Sequence, residues 1–284
     1  MTILIAPLIA KANEPTSAPL QSESVTKQPE LGETVWLEDG QGKFLAIFTA
    51  DQNGQPKGAA IILHDANHNP DWPDVIRPVR TFLPLHGWAT VSIQLPPQTT
   101  IDEYISQQPL INIRIQKATE HLQSLSLHNI ALIGYGTGAM AATAYVANQN
   151  SDSAIRGFIG ISLSVIKTEK TDDYLPTQLE RIKVPILDIY GGRDLDSVTN
   201  TAMLRSLAAK RSSTNTANDQ NLNAYKNSGL SKTANDGIKG YISYRQIVIH
   251  GADHEFNGLS ESLNRRVLGW LERHTKGTAI TSPR

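Results

Sequence analysis

One histidine and one aspartate in the C-terminal half of the chain have the residue types and the placement of an acid–base pair. Asp194 follows the apolar run at 184–190, and His254 follows the apolar run at 244–249. A carboxylate that accepts a hydrogen bond from one imidazole nitrogen orients the ring and leaves the other nitrogen to accept a proton. We therefore expect His254 and Asp194 to act in catalysis or binding, with Asp196 as the alternative carboxylate. In the other interpretation the pair only ties two loops together.

A glycine-rich turn follows the apolar run at 130–133 and reads Gly-Tyr-Gly-Thr-Gly, with its glycines at Gly134, Gly136 and Gly138. Small residues at these places let a strand reverse tightly into a closely packed helix. A turn of this kind exposes a serine nucleophile when it reads Gly-x-Ser-x-Gly. Gly136 occupies the serine position and has no side chain, so acyl transfer through a serine at this position is impossible.

The residue after the apex, Thr137, has two interpretations. A nucleophilic Thr137 hydroxyl is disfavoured because a side chain at this place should turn into the helix, where threonine often caps the N-terminus. We expect instead that the backbone N–H of Thr137 binds an anion or a carbonyl oxygen at the start of the helix.

Two loops together carry imidazoles and carboxylates that could bind zinc, manganese or iron. These residues are His64, Asp65, His68, His250, Asp253 and His254. A His-x-x-x-His pair needs a helix to align both rings on one face, and Asn69-Pro70 predicts a turn there instead. The glycine-rich turn follows a middle strand rather than opening a first βαβ unit, so it is not a dinucleotide fingerprint. We therefore predict neither a metal site nor a cofactor.

Short apolar runs alternate along the chain with segments of helical spacing. Strands are predicted at 34–38, 43–50, 58–64, 88–95, 130–134, 158–163, 184–190 and 244–249. Helices are predicted at 74–85, 102–126, 137–148, 174–182, 197–211 and 259–274, because apolar residues recur there every three or four positions.

This order of elements predicts an α/β fold. The turn signal Asp39-Gly40-Gln41-Gly42 joins the first two strands as a hairpin. The later strands alternate with helices, which predicts a three-layer sandwich: a mostly parallel sheet of about eight strands with helices on both faces. Ligands bind beyond the carboxyl ends of the strands in such sheets, where His254, Asp194 and the glycine-rich turn all lie.

The order of turn, acid and histidine resembles that of the α/β-hydrolase superfamily, and this resemblance covers roughly Glu33 to His274. More narrowly, the segment 68–96 (HNPDWPDVIRPVRTFLPLHGWATVSIQLP) and the turn GYGTGA resemble an uncharacterised bacterial α/β-hydrolase-like family, domain of unknown function 3530. The resemblance implies an α/β-hydrolase-type fold. It assigns no activity, and a fold alone does not supply one.

In the superfamily, the loop after the strand at 58–64 donates an N–H group to the oxyanion hole. The resemblance therefore makes the backbone of Asp65 the candidate donor, with His64 beside it as a further binding residue. The Asp65 carboxylate would repel a developing negative charge unless it is turned away, protonated or bound to a cation. Asp65 therefore disfavours ester-type chemistry.

Composition and charge narrow the classes of partner. The 284 residues include 26 Lys and Arg against 27 Asp and Glu, which gives no electrostatic case for a nucleic-acid partner. The absence of cysteine excludes disulfides and a thiolate nucleophile. The apolar run Thr2 to Ala10 is too short to span a bilayer, so we do not expect an integral membrane protein. The partner is predicted to be an unknown small molecule or a protein.

Segments outside the predicted core have compositions of their own. The apolar start and the small residues of Ala10-Lys11-Ala12 predict a signal peptide at 1–12 and a periplasmic or secreted protein; without cleavage the protein would be cytoplasmic. Polar residues dominate a predicted disordered linker at 13–32 and a disordered tail at 276–284. Within the α/β-hydrolase-like domain at 33–275, the segment 212–240 is predicted to be a flexible insertion or, alternatively, a binding lid.

Two functional hypotheses remain open at this point. In the first, a hydrolase relative without the serine uses His254 and Asp194 to activate water or bind a polar substrate, while N–H groups of Asp65 and Thr137 hold an oxygen. In the second, a non-catalytic binding or scaffold protein, a pseudo-hydrolase in the periplasm, keeps the fold without the chemistry.

Overall fold

The computed structural model describes residues 31–97, 100–150, 153–165, 174–211 and 243–275. Its described strands form one eight-stranded sheet. The strands are β1 (Glu33–Glu38), β2 (Lys43–Thr49), β3 (Gly58–Leu63), β4 (Trp88–Ile93), β5 (Ile130–Tyr135), β6 (Ile155–Ile161), β7 (Ile186–Gly191) and β8 (Tyr244–Ile249).

The strands lie in the order β1-β2-β4-β3-β5-β6-β7-β8. The pairs β1–β2 and β2–β4 are antiparallel, and the five other pairs are parallel. The predicted opening hairpin and the mostly parallel sheet are therefore confirmed. Because β3, β5, β7 and β8 run in the same direction, the loops that follow them emerge at one edge of the sheet.

Helices cover both faces of this sheet. They are α1 (Ile76–Phe82), α2 (Ile101–Ser124), α3 (Thr137–Ala147), α4 (Tyr174–Leu179), α5 (Asp196–Thr199), α6 (202–211) and α7 (Ser260–His274), with a short 3-10 helix at Leu83–His86. Buried side chains of α1 and α7 pack against one face, and those of α2 and α3 pack against the other. The three-layer α/β architecture predicted from the sequence is confirmed.

Strand β3 shows why the central strands are apolar along their whole length. Ile61 and Leu63 join the core on the side of α2 and α3, whereas Ala60 and Ile62 join the core on the side of α1 and α7. Successive side chains of a strand point to opposite faces, so a strand between two helical layers needs no polar position. Each fully buried isoleucine or leucine stabilises the fold by about 1.5–3 kcal/mol.

The predicted helix at 74–85 is shorter in the structure. The α-helix ends at Phe82 and continues as the 3-10 helix, which contains Pro84. Pro84 has no N–H group to donate to the carbonyl of Arg80. That carbonyl accepts a hydrogen bond from the Thr90 hydroxyl instead, at 2.8 Å.

Several sequence predictions concern segments that the structure does not describe. The predicted signal peptide (1–12), most of the linker (13–32), the insertion (212–240) and the tail (276–284) lie outside the described residues. None of the described helices is long and apolar enough to cross a membrane.

Candidate active site

Loops after four parallel strands bring four residues together at the carboxyl edge of the sheet. Asp65 follows β3, Gly136 follows β5, Asp194 follows β7 and His254 follows β8. They lie close enough for direct hydrogen bonds between the three side chains, as described below.

The turn after β5 has the tight geometry that its glycines permit. Gly136 has φ of 56° and ψ of -120°, a conformation that costs side-chain-bearing residues about 1–3 kcal/mol. A Cβ on Gly134 would overlap the backbone of Gly138 and Ala139, and a Cβ on Gly138 would overlap the end of β3. The backbone therefore turns sharply from β5 into α3, and the N-terminus of α3 lies at the carboxyl edge of the sheet.

The carboxylate of Asp65 occupies the place that a side chain on Gly136 would take. A Cβ built on Gly136 would overlap the Asp65 Cγ and both of its carboxylate oxygens. The Asp65 side chain, which is 16% exposed, therefore fills the position from which a serine would act. Among the described residues it is the carboxylate nearest to the apex of the turn.

One oxygen of this carboxylate is held by three hydrogen bonds. Asp65 Oδ1 accepts hydrogen bonds from the backbone N–H of Thr137 at 2.7 Å, the Thr137 hydroxyl at 2.8 Å and the backbone N–H of Ala66 at 2.7 Å. Thr137 is the first residue of α3, so its N–H is one of the free donors at a helix N-terminus. The two backbone N–H groups that converge on Oδ1 belong to Thr137 and Ala66. The backbone N–H of Asp65, which the resemblance makes the candidate donor to an oxyanion, stays a prediction.

The other oxygen faces His254. Nε2 of His254 lies 3.2 Å from Asp65 Oδ2, and Nδ1 lies 2.6 Å from Asp194 Oδ1. A carboxylate has no proton to donate when it is ionised, so the ring donates to both partners as an imidazolium. His254 thus bridges two carboxylates, and its own side chain is 18% exposed.

Each charged group of this cluster stabilises the charged form of its neighbour. Burial alone would lower the pKa of His254, but the hydrogen bonds and charges of Asp194 and Asp65 raise it to about 9. Burial would raise the pKa of each carboxyl group, yet hydrogen bonds from His254 and from neighbouring donors hold both values below the usual range. At neutral pH the site therefore contains two carboxylates and one imidazolium. Of the alternatives for Asp65, this corresponds to a carboxylate bound to a cation.

Asp194 is the carboxylate that the structure places on His254. Its Oδ2 accepts a hydrogen bond from the buried Ser162 hydroxyl at 2.6 Å, and its Oδ1 accepts one from the N–H of Leu195 at 2.8 Å. Asp194 is only 7% exposed. The alternative acid, Asp196, is an exposed residue of α5.

His64 is buried, and both of its ring nitrogens form hydrogen bonds within the protein. Nε2 accepts the backbone N–H of Leu95 at 3.0 Å, which leaves Nδ1 to carry the proton and donate it to the Asp65 carbonyl at 2.7 Å. Burial lowers the pKa of His64 to about 4, so the neutral ring is the native form. His64 thereby ties the loop that carries Asp65 to the end of β4.

Aromatic rings line one side of the site. Tyr135 lies with its ring centroid 5.1 Å from that of His254, and the His68 ring lies 5.8 Å from Tyr135. His68 also stacks on Trp72 at 3.7 Å. Tyr135 is fully buried beneath the charged cluster, and His68 and Trp72 are half-buried beside it.

The residues considered as metal ligands do not form a metal centre in the part of the chain that the structure describes. There, no group of three or more histidines, aspartates or glutamates could hold a metal ion. His250 is exposed, and His64 uses both ring nitrogens within the protein.

Two groups of this site were not identified from the sequence. Ser162 follows β6, so inspection of every strand end would have found it. Ala66 contributes only its backbone, and no residue type marks an N–H group as a donor to a particular oxygen.

Together, the sheet order, the sharp turn after β5, the acid after β7 and the histidine after β8 define an α/β-hydrolase fold. The family model of DUF3530, described as a protein of unknown function, matches residues 6–109 and 102–243, and the chain belongs to this family. The resemblance inferred from the sequence is confirmed. None of the curated proteins matches the chain.

Solved structures of α/β-hydrolases match the fold over most of the chain. A dienelactone hydrolase from Anabaena variabilis is 19% identical with a TM-score of 0.61, covering 86% of this chain and 98% of its own. An alpha-beta serine hydrolase homologue from Coxiella burnetii is 15% identical with a TM-score of 0.60, covering 85% and 98%. Est1E from Butyrivibrio proteoclasticus is 13% identical with a TM-score of 0.59, covering 85% and 99%. At these identities the similarity shows the fold.

Proposed function

We propose that this protein is a hydrolase-type enzyme whose centre is Asp65, His254 and Asp194, and that it works without a serine nucleophile. One observation carries the proposal: His254 is bound through Nδ1 to Asp194 and presents Nε2 to a carboxylate at the nucleophile position. In this centre Asp194 orients the ring, and His254 transfers the proton.

The position of the cluster and the perturbed pKa values of its three members support a catalytic role. Removing charged groups from water costs several kcal/mol per ion before their attraction is counted. Strongly perturbed titratable groups that converge at the edge of a sheet are typical of catalytic sites.

A second function, ligand binding without turnover, is favoured by one feature of the same site. Asp65 Oδ1 already satisfies the N–H groups of Thr137 and Ala66. These donors are therefore occupied by the protein itself, as in a site that has ceased to bind a substrate oxygen.

Turnover measurements separate the two functions. Purified protein is assayed against a panel of esters, thioesters and epoxides, in parallel with His254→Gln and with His250→Gln, a matched control on the exposed histidine of the same loop. We expect turnover of a panel member that His254→Gln abolishes and His250→Gln retains. A panel without any turnover, or turnover that survives in His254→Gln, contradicts the enzyme proposal.

We also propose export to the periplasm or beyond, on the basis of the apolar N-terminal run and the small residues that follow it. N-terminal sequencing of the protein from fractionated cells tests this proposal. A mature chain that begins after Ala12 supports export, and an intact Met1 in the cytoplasmic fraction contradicts it.

A further inference from the structure

We propose that Asp65 is a covalent nucleophile, and that the substrate class is epoxides, which the enzyme hydrolyses to vicinal diols through an ester on Asp65 Oδ2. The inference rests on the proposed function and adds the attacking atom and the substrate class. It follows from how the two oxygens of one carboxylate are held.

The two oxygens of Asp65 have different surroundings. Three hydrogen bonds from Thr137 and Ala66 fix Oδ1, whereas Oδ2 has His254 as its partner. A carboxylate held in this way presents one oxygen for attack while the other stays in the oxyanion hole. Carboxylate nucleophiles that form covalent intermediates are an established solution in enzymes.

Because Asp65 Oδ1 occupies the oxyanion hole, the site favours an electrophile that is a saturated carbon rather than a carbonyl. An ester substrate needs the N–H groups of the hole for its own carbonyl oxygen when the tetrahedral intermediate forms. Asp65 Oδ1 holds those donors, so an acyl substrate would lack them. Displacement at a saturated carbon creates no oxyanion there and needs no free hole.

The protonation state of His254 selects the leaving group. His254 is an imidazolium at neutral pH because two carboxylates raise its pKa. A proton donor next to the nucleophile is useful when the departing group is an alkoxide and gives no advantage when it is a stable anion such as a halide. In an epoxide, attack by Oδ2 forms the Oδ2–carbon bond, breaks a carbon–oxygen bond of the ring, and leaves an alkoxide that takes the Nε2 proton.

The ester then changes the role of His254. Esterification removes the negative charge of Asp65, so one of the two groups that stabilise the imidazolium is lost and the ring becomes a base. Neutral His254 takes a proton from water, whose oxygen attacks Cγ of Asp65. The negative charge of the intermediate develops on Oδ1, which already lies between the N–H groups of Thr137 and Ala66.

Collapse of this intermediate restores the enzyme. The Cγ–Oδ2 bond breaks, Oδ2 leaves with the diol, and the hydroxyl proton on Cγ passes through His254 to the departing oxygen. The oxygen from water remains in the Asp65 carboxylate. The sum is epoxide plus water to diol, with no oxidant or reductant. The half-buried, stacked rings of His68 and Trp72 suit a substrate with an apolar or aromatic substituent.

A single-turnover experiment with the wild-type protein tests the position of the attacking atom. Protein in excess over styrene oxide reacts in water enriched in the heavy oxygen isotope, and both the diol and the peptide that contains Asp65 are analysed by mass spectrometry. We expect the heavy oxygen in Asp65 and ordinary oxygen in the diol of the first turnover. Heavy oxygen in the diol with none in Asp65 overturns the nucleophile while the proposed function stands.

The substrate panel distinguishes the remaining outcomes. Turnover of an ester or thioester without turnover of styrene oxide overturns this inference alone, whereas no turnover of any panel member overturns the proposed function as well. Asp65→Asn should lower diol formation on the order of a thousand-fold or more, with Asp196→Asn as the matched exposed control. Since the isotope measurement uses the wild-type chain, it decides the question even if Asp65→Asn does not fold.

Discussion

The carboxylate of Asp65 lies in the space that a side chain on Gly136 would occupy, and the two positions exclude each other. Any Cβ at Gly136 would overlap the Asp65 carboxylate. The missing side chain at the apex of the turn therefore leaves room for the Asp65 carboxylate of the loop after β3. The glycine does not leave an empty nucleophile position, because a negatively charged group from another loop fills it.

The stability of the fold should depend on pH through His254. Its pKa is 6.5 when unperturbed and about 9 in the native protein, so the folded state binds this proton more tightly. The contribution of His254 to the free energy of unfolding is fully present below pH 6.5 and is lost as the pH rises through 9. The difference between the two pKa values corresponds to about 3 kcal/mol. Urea unfolding across this range should show that decrease in the wild type and in His250→Gln. In His254→Gln the free energy of unfolding should stay flat, and an unchanged decrease there would assign it to another group.

The fold and the site differ in how far the sequence could predict them. Apolar runs on both faces of β3 and β5 encode a sheet buried between two helical layers, so the architecture could be predicted. The neighbouring strands β7 and β8 place Asp194 and His254 at one edge of the sheet. The direction of the Asp65 side chain could not be predicted, because it depends on the backbone of its loop, where Asn67 adopts a φ of 59°. A contact between two loops that are 72 positions apart leaves no local pattern in one sequence.

His64 should destabilise the protein in acid. Its native pKa is lowered by burial to about 4 against 6.5 for the free ring, so the unfolded state binds the proton first. Stability from this residue is fully present above pH 6.5 and falls by about 3 kcal/mol as the pH drops through 4. Protonation also removes the acceptor for the Leu95 N–H. Unfolding measured down to pH 4 should show a steeper loss in the wild type than in His64→Gln, and equal slopes would contradict this role.

Removing one member of a buried ion pair should destabilise the strand that leads to Asp194. Arg205 and Asp188 of β7 are 0% and 1% exposed, and Arg205 Nε lies 2.8 Å from Asp188 Oδ2. Removing one partner of a buried pair leaves an uncompensated charge and costs about 3–5 kcal/mol. Arg205→Met should lower the free energy of unfolding by that amount. Arg265→Met, which breaks the exposed pair with Glu261, is the control and should change it by about 1 kcal/mol or less; similar effects of the two variants would contradict the buried role.

A reactive serine at position 136 should be obtained only when Asp65 and Gly136 are both substituted. Gly136→Ser alone meets the Asp65 carboxylate and a backbone φ of 56°, so it should lower stability by about 1–3 kcal/mol and gain no reactivity. Asp65→Ala alone removes the carboxylate and provides no hydroxyl. In Asp65→Ala/Gly136→Ser the serine occupies the vacated space within reach of His254, with the N–H groups of Thr137 and Ala66 free as an oxyanion hole.

A fluorophosphonate probe should therefore label the double variant at residue 136 and leave the wild type and both single variants unlabelled. The double variant should also be more stable than the sum of the two single changes predicts. Labelling of Gly136→Ser alone would mean that Asp65 does not block the position.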